Sequence, residues 1–149
     1  MLTMKKLVGS EFQPGRYIVG RLPHGEDLIS AIENFCESYS IQMATFSLIG
    51  AVSSYTIGVY DQTQHVYVTA TESASLEIVT CTGNISLMDG KPFVHAHVVF
   101  GDKKGNTMGG HLFSETIIFA GEISLQELKG KPLERAYDEK TGLSLWKIA

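Results

Sequence analysis

Hydrophobic residues follow two different periodicities along this chain. One stretch, residues 28–39, carries them at helical spacing on a single face, namely Leu28, Ala31, Ile32, Phe35 and Tyr39. Pro23-His24-Gly25 breaks the chain ahead of this stretch. We expect Glu26 and Asp27 in the first helical turn, where carboxylates suit the positive end of the helix dipole. From residue 41 onward the alternation is typical of β-strands, so the pattern predicts one main helix followed by a series of strands.

The predicted strands begin before the helix, with residues 16–22, and continue after it. They cover residues 41–49, 52–60, 65–70, 76–85, 92–100 and 116–125. Residues 127–142 are polar and turn-prone, and residues 143–148 alternate like a last edge strand whose Trp146 docks on the body of the protein. Short connections favour antiparallel pairing. The predicted fold class is α+β, with a largely antiparallel six- to seven-stranded sheet and one main helix packed on it.

Length and composition indicate one soluble domain. A chain of 149 residues can bury about two-thirds of the surface that its unfolded form exposes. The sequence is 44% hydrophobic and 19% charged, and it has no apolar run of membrane-spanning length. Its first ten residues lack the hydrophobic region of a signal peptide, so we expect a cytoplasmic protein. Cys36 and Cys81 are expected as reduced thiols in the core.

The charge balance argues against nucleic-acid binding. A net charge of −4 and a pI near 5.7 are the reverse of what phosphate neutralisation needs. DNA binding would therefore require a local basic patch. The candidates are three pairs of residues: Lys103 with Lys104, Lys129 with Lys131, and Arg16 with Arg21.

Three histidines are the side chains able to bind a metal or to take part in catalysis that come together in the predicted fold. His95 and His97 are two residues apart on one strand, so they point the same way. The turn at residues 101–106 suits a three-residue loop with Gly105 in the left-handed conformation, and that register sets His97 opposite His111. A slip by one residue would turn His111 to the other face. The Gly109-Gly110 pair keeps such a slip, or a bulge, open as an alternative.

Three imidazoles in this arrangement suit one divalent metal ion. Opposed residues of an antiparallel pair have Cβ atoms about 5 Å apart, and three such ligands leave one coordination position open for water or a small anionic ligand. We predict a metal site at His95, His97 and His111. Zinc is the first expectation, although the residues do not choose among zinc, iron, nickel and copper. In the alternative interpretation, the histidines are hydrogen-bonded structural residues.

A metal-dependent catalyst would also need an acid or a base nearby. The carboxylates that the sequence offers are Glu72, Glu77, Asp89 and Glu115. None is assigned a catalytic role, because the sequence does not say which of them approaches the histidines. Glycine spacings typical of phosphate or dinucleotide binding do not occur around Gly20 to Gly25.

Several motifs together resemble one family. They are Gly25-Glu26-Asp27-Leu28 at the start of the helix, Ser47-Leu48-Ile49-Gly50-Ala51, and Pro92-Phe93-Val94-His95-Ala96-His97-Val98 followed by Gly109-Gly110-His111-Leu112. They resemble the PPC (plants and prokaryotes conserved) domain, also called DUF296. The resemblance covers about residues 15–125 and leaves 126–149 as a C-terminal extension of the same domain. It implies an α+β fold, a homotrimer, and a metal-binding role for the three histidines.

The same resemblance bears on DNA binding. In land plants the domain follows an AT-hook, a short basic element that binds the minor groove. The nearest string here, Gly20-Arg21-Leu22-Pro23, lacks the Arg-Gly-Arg core of that element. Prokaryotic members are stand-alone domains labelled as DNA-binding by analogy of fold.

Three functional hypotheses follow. The first is a trimeric PPC protein with a divalent metal on three histidines, whose alternative form is a metal-dependent enzyme acting on a small molecule. The second is a DNA-associated module. The third is a metal-free trimeric interaction module in which the histidines are buried interface residues.

Overall fold

The computed structural model describes residue 5 and residues 7–148. Residues 1–4, 6 and 149 lie outside the described residues, and with them part of the segment in which no signal peptide is predicted. The elements in chain order are β1 (Gln13–Leu22), α1 (Leu28–Ser38), β2 (Ala44–Asp61), β3 (Val66–Met88), β4 (Lys91–Gly101), β5 (Thr107–Leu112), β6 (Ile117–Lys129), β7 (Arg135–Asp138) and β8 (Leu143–Trp146). No helix in this part of the chain has the length and apolar character needed to cross a membrane.

Six strands form one antiparallel sheet in the order β1-β6-β2-β3-β4-β5. Strand β5 also pairs with β2, through Ile57 with Leu112 and Gly58 with His111, so β2 to β5 close into a ring at one end of the sheet. Strands β7 and β8 form a separate hairpin. The predicted α+β class, with a six-stranded antiparallel sheet and one main helix, is confirmed.

The helix and one face of the sheet form the core. Leu28, Ile32 and Cys36 of α1 are fully buried in the same cluster as the inward-facing residues of the strands. Tyr39, which was predicted on the same hydrophobic face of the helix, is not buried with these residues, because it caps the helix C-terminus and is 42% exposed. Cys81 is buried and free, like Cys36. Burial, with the nearby Glu33 carboxylate adding to it at Cys36, raises the pKa of each thiol to about 12.

Strands β2 and β3 are each continuous where the sequence predicts two strands. In β2 Gly50 has a positive φ of +152°, and a Cβ atom there would collide with the backbone of Ala120. The register also shifts around this position. The glycine therefore accommodates an irregularity in the pairing without ending the strand.

The C-terminal segment contains a strand that the sequence pattern does not predict. Residues 127–142 are polar, yet Arg135–Asp138 form β7 and pair with β8. The amide of Leu87 donates to the carbonyl of Leu133 at 3.0 Å, which attaches this segment to the end of β3. Trp146 docks as predicted, with its indole Nε1 donating to Ser86 Oγ at 3.0 Å.

The helix begins one residue after Asp27, so the expected place of Glu26 and Asp27 in its first turn is wrong. Asp27 is the N-cap, and its Oδ2 accepts from the amide of Ser30 at 3.1 Å. Its Oδ1 accepts from the amides of Glu115 at 2.8 Å and Thr116 at 3.2 Å. One carboxylate thus caps the helix and attaches it to the chain entering β6.

Replacing Asp27 with alanine should lower the free energy of unfolding by about 2–3 kcal/mol. The change removes a cap, which costs about 1 kcal/mol, and also leaves the amides before β6 without their acceptor. Urea denaturation measures the difference. Glu37→Ala, an exposed change on the same helix, is the control and should stay within about 0.5 kcal/mol of the parent protein. Equal stability of the two variants would contradict this account of the cap.

Candidate metal centre

The hairpin of β4 and β5 has the register that the turn sequence predicts. His97 pairs with His111, without a shift between the two strands. The amide of Asp102 donates to the carbonyl of Asn106 at 2.9 Å, and Gly105 is left-handed with φ +79°. The Asp102 carboxylate also accepts from the amides of Lys104 and Asn106, which fixes the turn.

Gly109 and Gly110 are not a bulge. A Cβ atom on Gly109 would lie 2.5 Å from the carbonyl oxygen of Val98, and one on Gly110 would lie 2.7 Å from that of Gly58. Only glycine allows β5 to lie this close to β4 on one side and to β2 on the other. This close approach brings His111 to the face that carries His95 and His97.

That face lies opposite the core. Val94, Ala96 and Val98 of β4 alternate with the histidines and are buried. The ring centroids of His95 and His97 are 5.2 Å apart, those of His95 and His111 are 5.1 Å apart, and those of His97 and His111 are 5.5 Å apart. One ring nitrogen from each residue lies within 4.8 Å of the others.

The three side chains fit a metal ion by donor type and by distance. Nitrogens on one tetrahedral zinc, each about 2.1 Å from the metal, are about 3.4 Å apart. A rotation that moves each imidazole by about 1 Å completes such a set. The cluster could therefore hold one ion and leave its fourth position open.

The environment keeps two of these imidazoles neutral. Burial, the neighbouring His95 and His97, and the positive charge of Arg135 together lower the pKa of His111 to about 4. Burial, then Arg135, then His97 lower the pKa of His95. Neutral imidazoles carry the lone pair that a metal needs, so no proton has to leave these two rings at neutral pH.

His111 is held by two aromatic neighbours. Its Nδ1 lies 3.3 Å from the hydroxyl oxygen of Tyr67, and its ring centroid is 4.8 Å from those of Tyr67 and Phe113. Sequence reasoning missed Tyr67, because it lies on β3 and 44 residues before its histidine. The contact occupies Nδ1, which leaves Nε2 for coordination.

The histidines line a cavity of about 910 Å³. Its walls come from the sheet and from the C-terminal hairpin, which contributes Arg135, Leu143, Ser144 and Leu145. None of the four carboxylates considered from the sequence lines it. Glu72 instead accepts from the hydroxyl of Tyr55 at 3.1 Å, and Asp89 and Glu115 occupy left-handed positions between strands. Sequence reasoning also missed Arg135, which lies in the segment predicted as a polar tail.

Fold and cavity together define a class of protein: an antiparallel α+β domain with a three-histidine cluster on the face of the sheet away from its helix. The sequence model of the Plants and Prokaryotes Conserved (PCC) domain, also abbreviated PPC, matches residues 9–129. The chain belongs to this family, as the motifs predict.

Solved structures agree with this assignment. A plant- and prokaryote-conserved (PPC) protein from Pyrococcus horikoshii is 40% identical, with a TM-score of 0.88 over 95% of this chain and 97% of its own. A metal-containing protein from Archaeoglobus fulgidus is 45% identical, with a TM-score of 0.89 over 96% of this chain and 99% of its own. A more distant neighbour from Ralstonia eutropha, 25% identical, is described as a candidate DNA-binding protein; its TM-score is 0.76 over 91% of this chain and 97% of its own.

Curated relatives are much longer than this chain. The bifunctional protein GlmU from Synechococcus sp. (strain JA-3-3Ab) is 32% identical over 124 residues, which are 82% of this chain and 19% of that protein. The chain thus spans about a fifth of the length of the curated relatives it matches.

Acid should destabilise the metal-free protein through His111. The folded-state pKa of about 4 lies below the value near 6.5 of the unfolded chain, so the unfolded state binds more protons between these values. The contribution of His111 to stability is complete above about pH 6.5 and decreases as the pH falls toward 4. Melting temperatures in the presence of a chelator should therefore fall over this range.

A His111→Gln variant should show a shallower fall over the same range. The exposed His24→Gln variant is the control and should keep the slope of the parent protein. A slope unchanged by His111→Gln would contradict the assigned burial of this imidazole.

Proposed function

We propose that this PPC-domain protein binds one divalent transition metal on His95, His97 and His111. The observation that carries the proposal is the approach of three imidazole nitrogens to within 4.8 Å of one another on one face of a hairpin. The Archaeoglobus fulgidus neighbour, described as metal-containing, supports it at 45% identity.

Zinc is the metal we propose first. Three neutral imidazoles with an open fourth position are a ligand set that zinc accepts. The Tyr67 hydroxyl would orient His111 through its Nδ1, on the side of the ring away from the metal. When bound, the metal supplies Lewis-acid polarisation to a ligand at the open position. The residues of the chain hold the imidazoles in register, keep His95 and His111 unprotonated, and enclose the ligand position with the C-terminal hairpin.

A metal-dependent reaction on a small molecule is the alternative form of this proposal. The cavity of about 910 Å³ is of the size that small-molecule sites have. Besides the three histidines of the cluster, the polar side chains of the cavity wall are those of Tyr60, Gln62, His65, Tyr67, Thr80, Thr82, Arg135 and Ser144. A proton transfer in such a reaction would use His65, one of the tyrosines or the open metal position, because the cavity is lined by no carboxylate of the described chain.

We also propose that the whole chain acts as one domain and assembles as a homotrimer. Hydrogen bonds from Leu87 and Trp146 support a C-terminal segment that packs with the core. Tyr17 and Val19 lie outward on β1, and Ile49 lies outward on β2, the strand on the other side of β6. They are 65%, 69% and 57% exposed, which supports an apolar contact between copies. The number three comes from the family resemblance.

Light scattering should give a molar mass three times the 16.3 kDa of the chain. Val19→Glu introduces a charge into the proposed contact and should shift the mass toward a single chain, whereas Lys140→Glu, in the turn between β7 and β8, should not. A monomeric parent protein would contradict the proposed assembly.

DNA binding has less support. The description of the Ralstonia eutropha neighbour favours it, and the net charge of −4 opposes it. Of the basic pairs considered from the sequence, Arg16 is engaged by the Glu127 carboxylate at 2.8 Å, which neutralises one candidate phosphate contact. Metal binding therefore remains the function that we propose.

Elemental analysis of protein purified without an affinity tag should find close to one metal ion per chain. His97→Ala should reduce this value to a small fraction, because a two-histidine remnant binds far more weakly. His24→Ala is the matched control, since His24 is exposed and its Nδ1 lies 2.8 Å from the carbonyl oxygen of Phe119, away from the cluster.

Two results would contradict the metal proposal. One is metal far below one ion per chain in the parent protein even after incubation with zinc. The other is equal metal content in the parent protein and in His97→Ala. The first result would favour the metal-free interaction module.

A further inference from the structure

Arg135 presents a guanidinium group to the histidine cavity. Its Nη2 donates to Asn84 Oδ1 at 2.9 Å, and its Nη1 donates to the carbonyl of Ser144 at 3.1 Å. Asn84 is the cross-strand partner of His95, so its side chain starts about 5 Å from that histidine. The charge of Arg135 therefore lies beside the cluster. The residue follows the family match at 9–129 and belongs to the C-terminal hairpin of this chain.

The positive charge of Arg135 is not balanced by the described part of the protein. The ion pair found there within 4.0 Å joins Arg16 to Glu127 and does not involve Arg135. Arg135 Nε is buried and lacks a hydrogen-bond partner among these residues. The rings of Phe93 and Trp146 lie 5.6 Å and 5.2 Å from its guanidinium carbon, and they stabilise a cation without neutralising it. A partly buried cation of this kind is costly unless an anion joins it.

The composition of the cavity wall indicates which ligand would balance this charge. The described lining residues include Arg135, the three clustered histidines and a fourth histidine, His65, but neither aspartate, glutamate nor lysine. Phe93, Phe113, Leu143 and Leu145 supply apolar surface. A metal on the histidines would add further positive charge. The site therefore suits a ligand that combines negative charge with a carbon skeleton.

We propose that the cavity binds a small organic carboxylate, with its carboxylate on Arg135 and its carbon skeleton against the apolar wall. This inference rests on the proposed function in one respect, since a metal held by the histidines would add to the positive charge that attracts the carboxylate. A single planar guanidinium matches a carboxylate in geometry and charge. A phosphate dianion carries a second negative charge, and the described wall holds no lysine to balance it.

The C-terminal hairpin holds Arg135 ready for such a ligand. Residue 134 forms an isolated β-bridge with Leu87, and Arg135 itself pairs with Trp146. The indole of Trp146 donates a hydrogen bond to Ser86. The guanidinium is fixed between two rings and two acceptors before any ligand arrives. Binding therefore requires little further ordering of this side chain, which favours affinity.

Calorimetric titration tests the inference with three probes: phenylacetate, its neutral analogue phenylacetamide, and inorganic phosphate. Metal content is measured on the same samples. The parent protein should bind phenylacetate at least tenfold more tightly than phenylacetamide or phosphate. Arg135→Gln should lose this preference for the anion while its metal content stays unchanged, and Arg135→Lys should restore only part of it, because lysine lacks the planar fork.

Lys147→Gln is the matched control. It removes one positive charge from an exposed residue just after the same hairpin, outside the cavity wall, and should bind phenylacetate like the parent protein. Melting curves confirm that each variant is folded. Arg135→Lys keeps the charge and a long aliphatic stem, so it also tests the inference if Arg135→Gln proves unstable.

The outcomes separate this inference from the metal proposal. Unchanged phenylacetate binding in folded, metal-loaded Arg135→Gln would overturn the carboxylate site and leave the metal site standing. Tighter binding of phosphate than of phenylacetate would also overturn it. A parent protein without metal would contradict the proposed function, while dependence of phenylacetate binding on Arg135 in that same sample would still support the anion site.

Discussion

The close approach of β5 to its two neighbouring strands is the constraint on which the histidine cluster depends. Gly109 and Gly110 leave no room for a Cβ atom beside the carbonyls of Val98 and Gly58, so β5 can pair with β4 and β2 at once. This double pairing closes the ring of four strands and fixes the face to which His111 points. A side chain at either glycine would push β5 away and separate His111 from the other two imidazoles.

The charges and protonation states of the lining residues then determine which ligands the cavity favours. Burial and neighbouring positive charge favour the neutral forms of His95 and His111, and the described wall supplies no carboxylate to offset Arg135. Neutral imidazoles suit a metal, and the unbalanced guanidinium suits an anion. A metal ion on the histidines would add its positive charge to that of Arg135, so the metal and an anionic ligand would stabilise one another.

The residues of the site that are placed by local sequence patterns could be predicted, whereas those placed by contacts distant in sequence could not. The register of the hairpin follows from Asp102 and Gly105, which act within the turn, and so His97 and His111 could be placed opposite each other before the structure was known. The strand at Arg135 could not be predicted, because its segment lacks alternation and is held by contacts with residues near Ser86 and Leu87. Asp27 was predicted in the first helical turn but is the N-cap, one position earlier. The sequence does not separate these two positions, because they differ only in backbone geometry.

Anomalous diffraction from crystals of the parent protein, recorded at the absorption edge of the metal found in it, tests the central claim most directly. The account predicts one strong peak per chain, about 2.1 Å from a ring nitrogen of each of His95, His97 and His111. The ring of His111 should coordinate through Nε2, with Nδ1 toward Tyr67. A peak at other residues, or imidazoles at these positions without a peak in protein incubated with zinc, would contradict it.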